Sequence, residues 1–580
     1  MIDFKTEIAN AIANELTEIP KDDIYGMIEV PQDSKLGDYA FPCFRLAKIM
    51  RKAPPLIAQD IAGKLAGNAL FEEVRQVNAY VNFFMNKKAV IGETIAAALD
   101  KDGFGRSDEG SGKTIVIDFS SPNIAKPFHI GHIRSTVIGN SIYKLYDALG
   151  YSVVRTNHLG DYGTQFGKMI CAYRHWGNDA DIERDPIRTL LSYYTRFHEE
   201  AKMDPSLDEE ARKTFYDLEH GGEDEVRLWK WFSELSMREF NRVYDLLGIE
   251  FDAYDGESMY TGMMQRHIDD LVSKGLLVES EGANVVMLDE FNMPPAIITK
   301  SDGSSVYCTR DIATAVYRKE TYDFYKNLYV VASQQSLYFK QLWKVLEKMG
   351  YEWAKDCVHI PFGMVSLEGG QTLSTRKGNV VFLEDVLNEA IDKTREIIKE
   401  KNPDASQEMI DETAKVVGVG AVVFNELSNS KIKDYEFRWD QVLNFDGETG
   451  PYVQYTHARC ASVLRKAGGG VVAAASKAIA GGDSDAVDYS YLTGGSAYEL
   501  VKLIYAFPGI VKEAAEKYEP SIVTRHIVDI AQSYNKFYHD EHILTSDEKE
   551  QTAKVALTIA ARNTIATGLG LLGVKAPERM

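Results

Sequence analysis

Two short runs of apolar and β-branched residues have the pattern of buried parallel strands. TIVIDFSS occupies 114–121 and YSVVRTN occupies 151–157. Between them an amphipathic helical pattern extends to about Leu149, and Gly150 follows as a helix terminator. Strand, helix and strand within about 45 residues form a βαβ unit, so the pattern predicts a parallel sheet.

The same alternation returns after a long polar interval. NLYVVAS at 327–333 and VHIPFGMVSL at 358–367 are strand-like, and 337–349 between them has helical spacing. The polar stretch at about 180–300 predicts a helical insertion that divides the sheet. These elements indicate an α/β fold with a Rossmann-type parallel sheet.

The rest of the chain predicts further domains around this sheet. We expect an N-terminal α+β domain over 1–105, the Rossmann-type α/β domain over 106–400, a helical connecting segment over 401–455, and an all-α bundle over 456–580. A helix is expected over the first 18 residues and a strand at Tyr80 to Met85. The Gly/Ala-rich stretch at 467–485 predicts a flexible loop between helices.

Composition and charge narrow the classes of function. The chain has 580 residues, of which 45% are hydrophobic and 26% charged, an ordinary balance for a globular protein. Its formal net charge of −21 argues against a protein that holds nucleic acid by bulk charge. A local basic face remains compatible with nucleic-acid binding, which would then weaken steeply with added salt.

Cysteine usage and the N-terminus favour the cytoplasm. The five cysteines are scattered and form no CxxC pair, which argues against a zinc site or a disulfide framework and favours a reducing compartment. The first residues carry acids and lack the apolar core of a signal peptide. No apolar run reaches the roughly 18 residues that span a bilayer, so no membrane association is expected.

The most informative segment is SSPNIAKPFHIGHIRS at 120–135, between a predicted buried strand and a helix. There the first amides of the helix are unpaired at the carboxyl edge of the sheet, a place that binds anions. His129 and His132 flank Gly131 and can donate hydrogen bonds to a phosphate chain as its charge develops, while Lys126 adds a cation. The alternative is that the histidines cap the helix or bind a metal.

Residues 129–132 spell HIGH, and this motif resembles the signature of class I aminoacyl-tRNA synthetases. The longer string SSPNIAKPFHIGHIRST is similar to arginyl-tRNA synthetases in particular. So are NHLGDYGTQFG at 157–167, YCTRDIA at 307–313 and the ending PERM at 577–580. The resemblance covers essentially the whole chain. HIGH alone also fits related nucleotidyltransferases, whereas the YxTRDxA element after it points to arginine.

The class I family carries a second motif, KMSKS, where this chain has GGQTLSTRKGNVV at 369–381. Thr372 stands in place of the first lysine, and family members without that lysine often have one just before HIGH, as Lys126 is here. We therefore expect Lys126 to supply the missing charge, with Arg376 and Lys377 closing over the β- and γ-phosphates. The alternative is a solvated basic turn. The resemblance implies these ATP-binding residues: His129, Gly131, His132, Met364, Val365, Ser374 and Arg376.

Recognition of arginine requires carboxylates and carbonyl oxygens placed for a planar, five-donor guanidinium. Tyr307 and Asp311 are four residues apart and share one face of a helix, so Asp311 can pair with the guanidinium while Tyr307 lines the pocket. The alternative for Asp311 is an internal salt bridge to Arg310. The resemblance implies an arginine-binding set of Tyr307, Asp311, Gln335, Ser121, Asn123 and His132, with Glu257 as a second carboxylate.

The sequence departs from the family pattern at Tyr338, where family members usually have histidine. Because Gln335 is retained, we expect this departure to affect only local packing. A rival amino acid without the guanidinium would leave a buried carboxylate unpaired, at about 1–3 kcal/mol or more. No editing domain is therefore required.

Aromatic and basic residues interleave within 431–466. Tyr452, Tyr455, Arg459 and Lys466 are candidates for base stacking and phosphate contact. The alternative is a helix with a partly buried tyrosine face. The resemblance implies an anticodon-binding helical domain from about 456 to the end, and an N-terminal domain that contacts the tRNA.

The resemblance implies a two-step reaction with ATP as substrate and Mg²⁺ as its companion. The carboxylate of L-arginine attacks the α-phosphate and pyrophosphate leaves, and the terminal ribose of tRNA(Arg) then attacks the adenylate. The motifs offer no protein nucleophile and no protein metal ligands. Catalysis would come from positioning and charge stabilisation by His129, His132, Lys126, Arg376 and Lys377. A cytoplasmic monomer whose arginine activation depends on bound tRNA is expected.

Two rival interpretations remain on the sequence alone. One is another enzyme of the same nucleotide fold, either a cytidylyltransferase-like protein or a synthetase for a different amino acid. The long helical run after the sheet argues against the former, and Tyr307, Asp311 and Gln335 argue against the latter. The other is a non-catalytic tRNA- or protein-binding relative, which the intact pair of histidines disfavours.

Overall fold

The computed structural model describes residues 3–16, 19–100, 102–300, 307–367, 381–480 and 487–580. The chain divides into two compact units. The first comprises Met1–Phe104, Arg459–Phe507 and Asp529–Ile565, and the second comprises Gly105–Ala458, Pro508–Val528 and Ala566–Met580.

The N-terminal part of the first unit is an α+β arrangement. Its elements are α1 (Phe4–Glu15), α2 (Lys21–Met27), β1 (Tyr39–Pro42), α3 (Leu46–Met50), α4 (Pro54–Leu65), β2 (Phe71–Val77), β3 (Tyr80–Met85) and α5 (Lys87–Leu99). The strands form an antiparallel sheet of order β1-β3-β2. Phe4, Ile8 and Ile12 recur at helical spacing on the buried face of α1, which explains why this segment is a helix. The expected strand at Tyr80 to Met85 is confirmed, and the first helix ends at Glu15.

The second unit contains the nucleotide-type fold. Its elements in chain order are β4 (Thr114–Asp118), α6 (Ile133–Ala148), β5 (Ser152–Asn157), α7 (Thr164–Trp176), α8 (Asp179–Arg184), α9 (Pro186–Glu200), α10 (Ser206–Glu219), α11 (Glu223–Leu247), β6 (Ala253–Tyr254), α12 (Met264–Ser273), β7 (Leu277–Ser280), β8 (Ala283–Val286), β9 (Ala296–Lys300), α13 (Tyr307–Tyr322), β10 (Lys326–Ala332), α14 (Ser336–Lys348) and β11 (Cys357–Phe362).

Five strands form the parallel sheet that the sequence predicts. Their order is β11-β10-β4-β5-β6, and each neighbouring pair is parallel. The central strand β4 is buried from Ile115 onward, as its β-branched composition requires. Because parallel strands end at one edge, the carboxyl ends of β4, β5 and β10 bring their following loops together.

The insertion differs from the expected helical stretch. Its helices α7 to α11 begin at Thr164, earlier than expected, and β6 then returns to the parallel sheet. The last part of the expected helical region forms an antiparallel sheet of β7, β8 and β9. Val286 and Ile298 of this sheet are buried in a core shared with α13 and α14, so tertiary burial selected strands there.

The remaining elements are mostly helical, as expected. They are β12 (Val365–Leu367), α15 (Leu383–Lys401), α16 (Gln407–Ser428), β13 (Tyr435–Phe437), α17 (Trp439–Val442), α18 (Gly450–Ala467), α19 (Gly469–Ala480), α20 (Gly495–Glu516), α21 (Ser521–Asp540) and α22 (Glu548–Leu571). The strand-like run at 358–367 is divided between β11 and β12, and β12 pairs with β13 in a separate two-stranded sheet. In the part of the chain that the structure describes, no helix is long and apolar enough to cross a membrane.

Candidate active site

The turn between β4 and α6 has an unusual backbone. Three residues other than glycine have positive φ: Ser120 (+73°), Ser121 (+46°) and Ala125 (+58°). Such positions cost about 1–3 kcal/mol each and persist only where the surroundings impose them. The Ser120 amide donates to Ser135 Oγ (2.9 Å), and Ser120 Oγ lies 2.8 Å from Tyr244 Oη. The Ala125 amide donates to Ser236 Oγ (2.9 Å), so buried hydroxyls hold the turn in place.

The two histidines of the HIGH motif form a reciprocal cap on the helix start. The Gly131 amide donates to Nδ1 of His129 (3.0 Å), and the His129 amide donates to Nδ1 of His132 (3.1 Å). Their ring centroids are 4.0 Å apart. Because its Nδ1 accepts the Gly131 amide proton, the neutral His129 ring carries its own proton on Nε2. Nδ1 of His132 also lies 3.2 Å from the His129 carbonyl oxygen, so the His132 ring has its proton on Nε2 in the tautomer in which Nδ1 accepts the His129 amide proton. In that tautomer capping and phosphate donation are compatible.

Both imidazoles are neutral at physiological pH. Burial lowers the pKa of His129 from 6.5 to about 4. Burial and the neighbouring His129 lower the pKa of His132 to about 3. The pair thus offers hydrogen-bond donors rather than positive charges, and charge for a triphosphate must come from other residues.

Lys126 is the cation of this turn. Its Nζ lies 5.9 Å from the centre of the Tyr194 ring, which belongs to α9 of the insertion. The turn is held against the loop after β5, where the Ile124 amide donates to the Gly160 carbonyl (3.1 Å). A Cβ at Gly160 would come within 2.2 Å of Asn123 Oδ1, so glycine is required for this close approach. Lys126 and Asn123 are therefore positioned by one rigid loop pair.

A buried charge network lies at the end of β4. Arg318 of α13 is fully buried and its guanidinium contacts the carboxylates of Asp118 (2.9 Å) and Asp255 (3.0 Å). Ser121 Oγ donates to Asp118 Oδ1 (2.8 Å). Burial pushes the pKa of Asp255 upward, but the Arg318 guanidinium pulls it down further, so the pKa is lowered overall. The network ties the predicted arginine-backbone residue Ser121 to α13.

Asp311 is partly buried in the first turns of α13, and its carboxylate is not paired with Arg310. The Tyr338 hydroxyl donates to Asp311 Oδ2. Burial raises the pKa of Asp311, against the opposing influence of His158 and of the Tyr338 hydrogen bond. The charge of Asp118 raises this pKa further, and Arg310 lowers it. The expectation that Tyr338 affects only local packing is wrong, because Tyr338 contacts the predicted guanidinium ligand itself.

Arg310 instead faces the other predicted carboxylate. Its Nη2 lies 3.7 Å from Glu257 Oε2, and its guanidinium carbon lies 5.0 Å from the centre of the Tyr307 ring. Burial raises the pKa of Glu257, partly opposed by Arg310. Nδ1 of His158 is buried and has no hydrogen-bond partner in the described part of the chain. Tyr307 is exposed at the start of α13, and Gln335 is exposed in the turn after β10.

The helix after the histidines is anchored by a second buried ion pair. Arg134 Nε donates to Glu426 Oε1 (2.6 Å), and both side chains are almost completely buried. The Arg134 guanidinium also donates to the Lys433 carbonyl (2.7 Å), and the Tyr435 hydroxyl donates to Glu426 Oε2 (2.5 Å). This places α6 against β13, the partner strand of β12.

The structure describes only some of the residues predicted to bind ATP. Ser374, Arg376 and Lys377 lie outside the described residues, as does Thr372. The chain is described again from Val381, whose carbonyl accepts from the Ile130 amide (3.1 Å) inside the HIGH turn. On the preceding side, Met364 is exposed and its amide donates to Asp434 Oδ1 (2.6 Å), while Val365 begins β12. Both flanks of the second motif are thus fixed to the second unit.

Helices of the insertion also contact the residues that follow the second motif. Arg188 pairs with Asp385 (2.8 Å) and Arg242 pairs with Glu384 (2.6 Å), so two ion pairs join insertion helices to the start of α15. The Arg188 guanidinium carbon lies 3.9 Å from the centre of the Phe382 ring. Most of these charged side chains are about half exposed, so the pairs are individually weak.

The candidate tRNA-binding residues all lie on α18. Tyr455 and Lys466 are exposed, and Tyr452 is partly buried. Arg459 donates to Asn535 Oδ1, and its guanidinium carbon lies 5.4 Å from the centre of the Tyr538 ring. Arg459 is thus engaged within the first unit, whereas the exposed residues remain the better candidates for an external partner.

Four residues at the site were missed by sequence reasoning: Asp118, His158, Asp161 and Arg318. Asp161 is buried, accepts from the Ser258 amide (2.8 Å) and Oγ (2.6 Å), and has its pKa raised by burial. The motif NHLGDYG contains both His158 and Asp161 and could have drawn attention to them. No local sequence pattern could have identified Arg318, because the carboxylates that it contacts are distant in sequence.

Family models match the chain in three parts. The model of the class I tRNA synthetase (R) catalytic domain matches residues 94–439. The DALR anticodon binding domain model matches residues 453–580, and the arginyl tRNA synthetase N terminal domain model matches residues 5–85.

Whole-chain relatives agree with these matches. The arginine–tRNA ligase of Clostridioides difficile is 54% identical, and that of Halothermothrix orenii is 52% identical, each over 100% of both chains. Among solved structures, the arginyl-tRNA synthetase of Thermus thermophilus has a TM-score of 0.80 and 26% identity, again over 100% of both chains.

Proposed function

The chain belongs to the arginyl-tRNA synthetase family of class I tRNA synthetases, and we propose how its residues divide the ligation of arginine to tRNA(Arg). The enzyme activates L-arginine with ATP to arginyl-adenylate and transfers arginine to the 3′ end of the tRNA, releasing AMP and pyrophosphate. The observation that carries the assignment of residues is Asp311. Its carboxylate is desolvated, accepts a hydrogen bond from Tyr338, and forms no ion pair with an arginine among the residues that the structure describes.

The guanidinium of the substrate binds at Asp311, with Glu257 as a second carboxylate. Removing these carboxylates from water raises both pKa values, and a permanently charged guanidinium would reverse that effect. Tyr307 and Gln335 border this pocket, since they stand at the starts of α13 and α14 respectively. Ser121 and Asn123, with His132, hold the amino acid's backbone end.

The triphosphate of ATP binds at the HIGH turn. Nε2–H groups of His129 and His132 donate to phosphate oxygens, and Gly131 permits close approach of the ligand to the backbone. Met364, Val365 and Ser374 contribute further ATP contacts, and Arg376 and Lys377 bring charge from the second motif. The arginine carboxylate attacks the α-phosphorus, the bond to the β-phosphate oxygen breaks, and pyrophosphate leaves with both electrons of that bond. These side chains stabilise the developing charge and form no covalent intermediate.

Lys126 supplies the positive charge that the neutral histidines lack. Its place next to His129 and the threonine at 372 support this role. Lys126→Ala should lower the rate of adenylate formation by about 10²-fold, because removing one preorganised electrostatic donor typically has that effect. The tRNA dissociation constant should stay unchanged. Single-turnover adenylate formation measures the first quantity, and a normal rate would remove Lys126 from the mechanism.

Mg²⁺ accompanies ATP, and no protein ligand is assigned to it. The carboxylates at the end of β4 are engaged by Arg318, so they do not offer the free oxygen ligands that Mg²⁺ prefers. The ion would be held by phosphate oxygens and water.

The tRNA contacts come from the ends of the chain. We assign 1–105 to tRNA contact, 106–400 to catalysis, 401–455 to the connection and 456–580 to the anticodon. Tyr452, Tyr455, Arg459 and Lys466 are proposed contacts on α18. Substituting Tyr455 or Lys466 should weaken tRNA binding without changing the KM for ATP.

One assay tests the whole assignment. Pyrophosphate exchange is measured with arginine, with and without tRNA(Arg), and with lysine as a rival substrate. Exchange that requires arginine and increases when tRNA is added supports the assignment. Exchange with another amino acid, or none under either condition, would overturn it.

We also propose that the enzyme acts as a cytoplasmic monomer. All five cysteines are buried free thiols, which suits a reducing compartment. Sedimentation velocity should give one species near the chain mass of 65.0 kDa.

A further inference from the structure

Three potential metal ligands meet in the insertion, remote in sequence from the residues assigned to the reaction. They are Cys171 and His175 of α7 and Glu210 of α10, and one ligand atom of each lies within 4.8 Å of the others. His175 Nε2 is 3.0 Å from a Glu210 carboxylate oxygen. Within the described ranges of the chain, these three side chains are close enough together to hold one metal ion.

The two helices position these groups with little freedom. Cys171 and His175 are four residues apart, so they lie on one face of α7. Gly167, one turn before Cys171, brings the helices into close contact: a Cβ there would come within 2.1 Å of the Ala211 carbonyl. Cys171 and Ala211 belong to one buried cluster. Glu210 is therefore placed opposite the thiol by packing, and not by a chance surface encounter.

The site has both a buried floor and an entrance. Cys171 is completely buried, whereas the side chains of His175 and Glu210 are 41% and 43% exposed. An ion can thus approach from solvent between the imidazole and the carboxylate and reach the sulfur. His175 Nε2 lies 3.0 Å from a Glu210 carboxylate oxygen, and all three ligand atoms lie within 4.8 Å of one another. Small side-chain movements would bring all three to the distances of about 2.0–2.3 Å at which zinc is bound.

The donor set selects the kind of ion. A thiolate, an imidazole and a carboxylate suit a borderline-soft divalent ion such as Zn²⁺, whereas Mg²⁺ demands oxygen ligands. The thiol loses its proton to solvent on binding, because the thiolate is the form that ligates a metal.

We propose that Cys171, His175 and Glu210 form a structural site for one Zn²⁺ ion that ties α7 to α10, with water in the fourth position. The site is independent of the ligation chemistry assigned above. Its sequence trace is only a Cys-x₃-His pair and a glutamate 35 residues later, which no spacing rule connects.

The test is a titration of the full chain with Co²⁺, after removal of metals and without added thiols. A thiolate-to-cobalt charge-transfer band in the near ultraviolet should appear and saturate at about one equivalent, as expected for a single site. Zn²⁺ should abolish the band by displacement and should raise the melting temperature of the chain. Absence of the band, or saturation without a defined stoichiometry, would overturn the proposal.

Variants assign the ligands. Cys171→Ser should remove the charge-transfer band. His175→Gln and Glu210→Gln, which change exposed side chains and preserve the fold, should each weaken Co²⁺ binding by more than roughly ten-fold, the lower bound seen for mere outer-sphere partners.

The matched control is Cys43→Ser, because Cys43 is an equally buried thiol that lies 3.9 Å from the Phe41 carbonyl oxygen. This variant should titrate like the unaltered chain. Unchanged Co²⁺ affinity in the His175 and Glu210 variants, or loss of the band in the Cys43 variant, would show that the sulfur–cobalt signal arises elsewhere and would refute the site. This outcome stands even if Cys171→Ser fails to fold.

Discussion

The candidate site at the carboxyl edge of the parallel sheet has two halves, and they differ in the kind of ionisable group that burial keeps neutral or less readily charged. The phosphate half, defined by His129, His132 and Lys126, contains imidazoles whose pKa values burial has lowered until they are neutral. The arginine half, defined by Asp311, Glu257 and Asp161, contains carboxylates whose pKa values burial has raised. In both halves desolvation has reduced the preference for the charged form.

The comparison indicates two different strategies of recognition. The phosphate half presents neutral imidazoles, and Lys126 lies on the same turn as a cation. The arginine half keeps carboxylates that are hydrogen-bonded but only weakly paired with cations, so an incoming guanidinium gains a desolvated partner. A site of that kind discriminates strongly, because an uncharged rival leaves the carboxylate without its cation.

Both halves rest on the Arg318 network, and disrupting it should have the largest effect. Arg318→Met leaves Asp118 and Asp255 buried without their cation, which typically costs about 3–5 kcal/mol of unfolding free energy. Urea unfolding measures this loss. Arg184→Met is the control, because its side chain is 76% exposed and surface changes stay within about 0.5 kcal/mol. Equal stability of the two variants would mean that the network is not the shared foundation.

Asp311→Asn should separate the two halves. The amide keeps the shape of the side chain but removes the charge, so the KM for arginine should rise by roughly 150-fold, equivalent to about 3 kcal/mol. The KM for ATP should change little, because the phosphate half is untouched. Asp323→Asn, at the exposed end of the same helix region, should leave both constants unchanged. A parallel rise in both KM values would contradict the division into halves.

The pH dependence of stability should reveal the neutral histidines. Their folded pKa values of about 4 and about 3 lie below the unfolded value of 6.5, so the unfolded state takes up protons first as pH falls. Their stabilising contribution is complete above pH 6.5 and is lost as pH falls towards 4 and 3.

His132→Asn should therefore flatten the slope of unfolding free energy between pH 6.5 and 5, by about 1.4 kcal/mol per pH unit. The carboxylates of the arginine half have raised pKa values and act with the opposite sign, but they are common to both proteins and cancel in the difference. His539→Asn, at an exposed side chain, should keep the original slope. An identical slope in the His132 variant would mean that this imidazole is protonated in the folded state.

The parallel sheet and the HIGH turn were predictable because their signals are local. β-branched runs, a terminating glycine and the string 120–135 each occupy one short segment. The Arg318 network, the Tyr338–Asp311 hydrogen bond and the Arg134–Glu426 ion pair instead join residues that are distant in sequence. Tyr338 and Asp311 are 27 positions apart, and Arg134 and Glu426 are 292 positions apart. No periodicity in a single sequence records such pairings.

The wrong expectations have physical reasons of their own. The Gly/Ala-rich stretch at 467–485 was predicted as a loop, yet Gly469–Ala480 is a helix. Alanine has the highest helix propensity, and five alanines outweigh the two leading glycines. At 277–300, β-branched residues form an antiparallel sheet within a stretch expected to be helical.

The attachment of the insertion should give the smallest effect. Arg188 pairs with Asp385 at 2.8 Å, but the two side chains are 50% and 59% exposed, so the pair should contribute less than about 1 kcal/mol. The contact of Arg188 with the Phe382 ring adds a further contribution of about 0.5–1 kcal/mol. A double-mutant cycle of Arg188→Ala and Asp385→Ala isolates the ionic part, and that coupling should shrink in high salt. A coupling above about 2 kcal/mol, or one that salt leaves unchanged, would mean that the insertion is fixed as firmly as the Arg318 network, and the contrast between a rigid sheet edge and a loosely held insertion would fail.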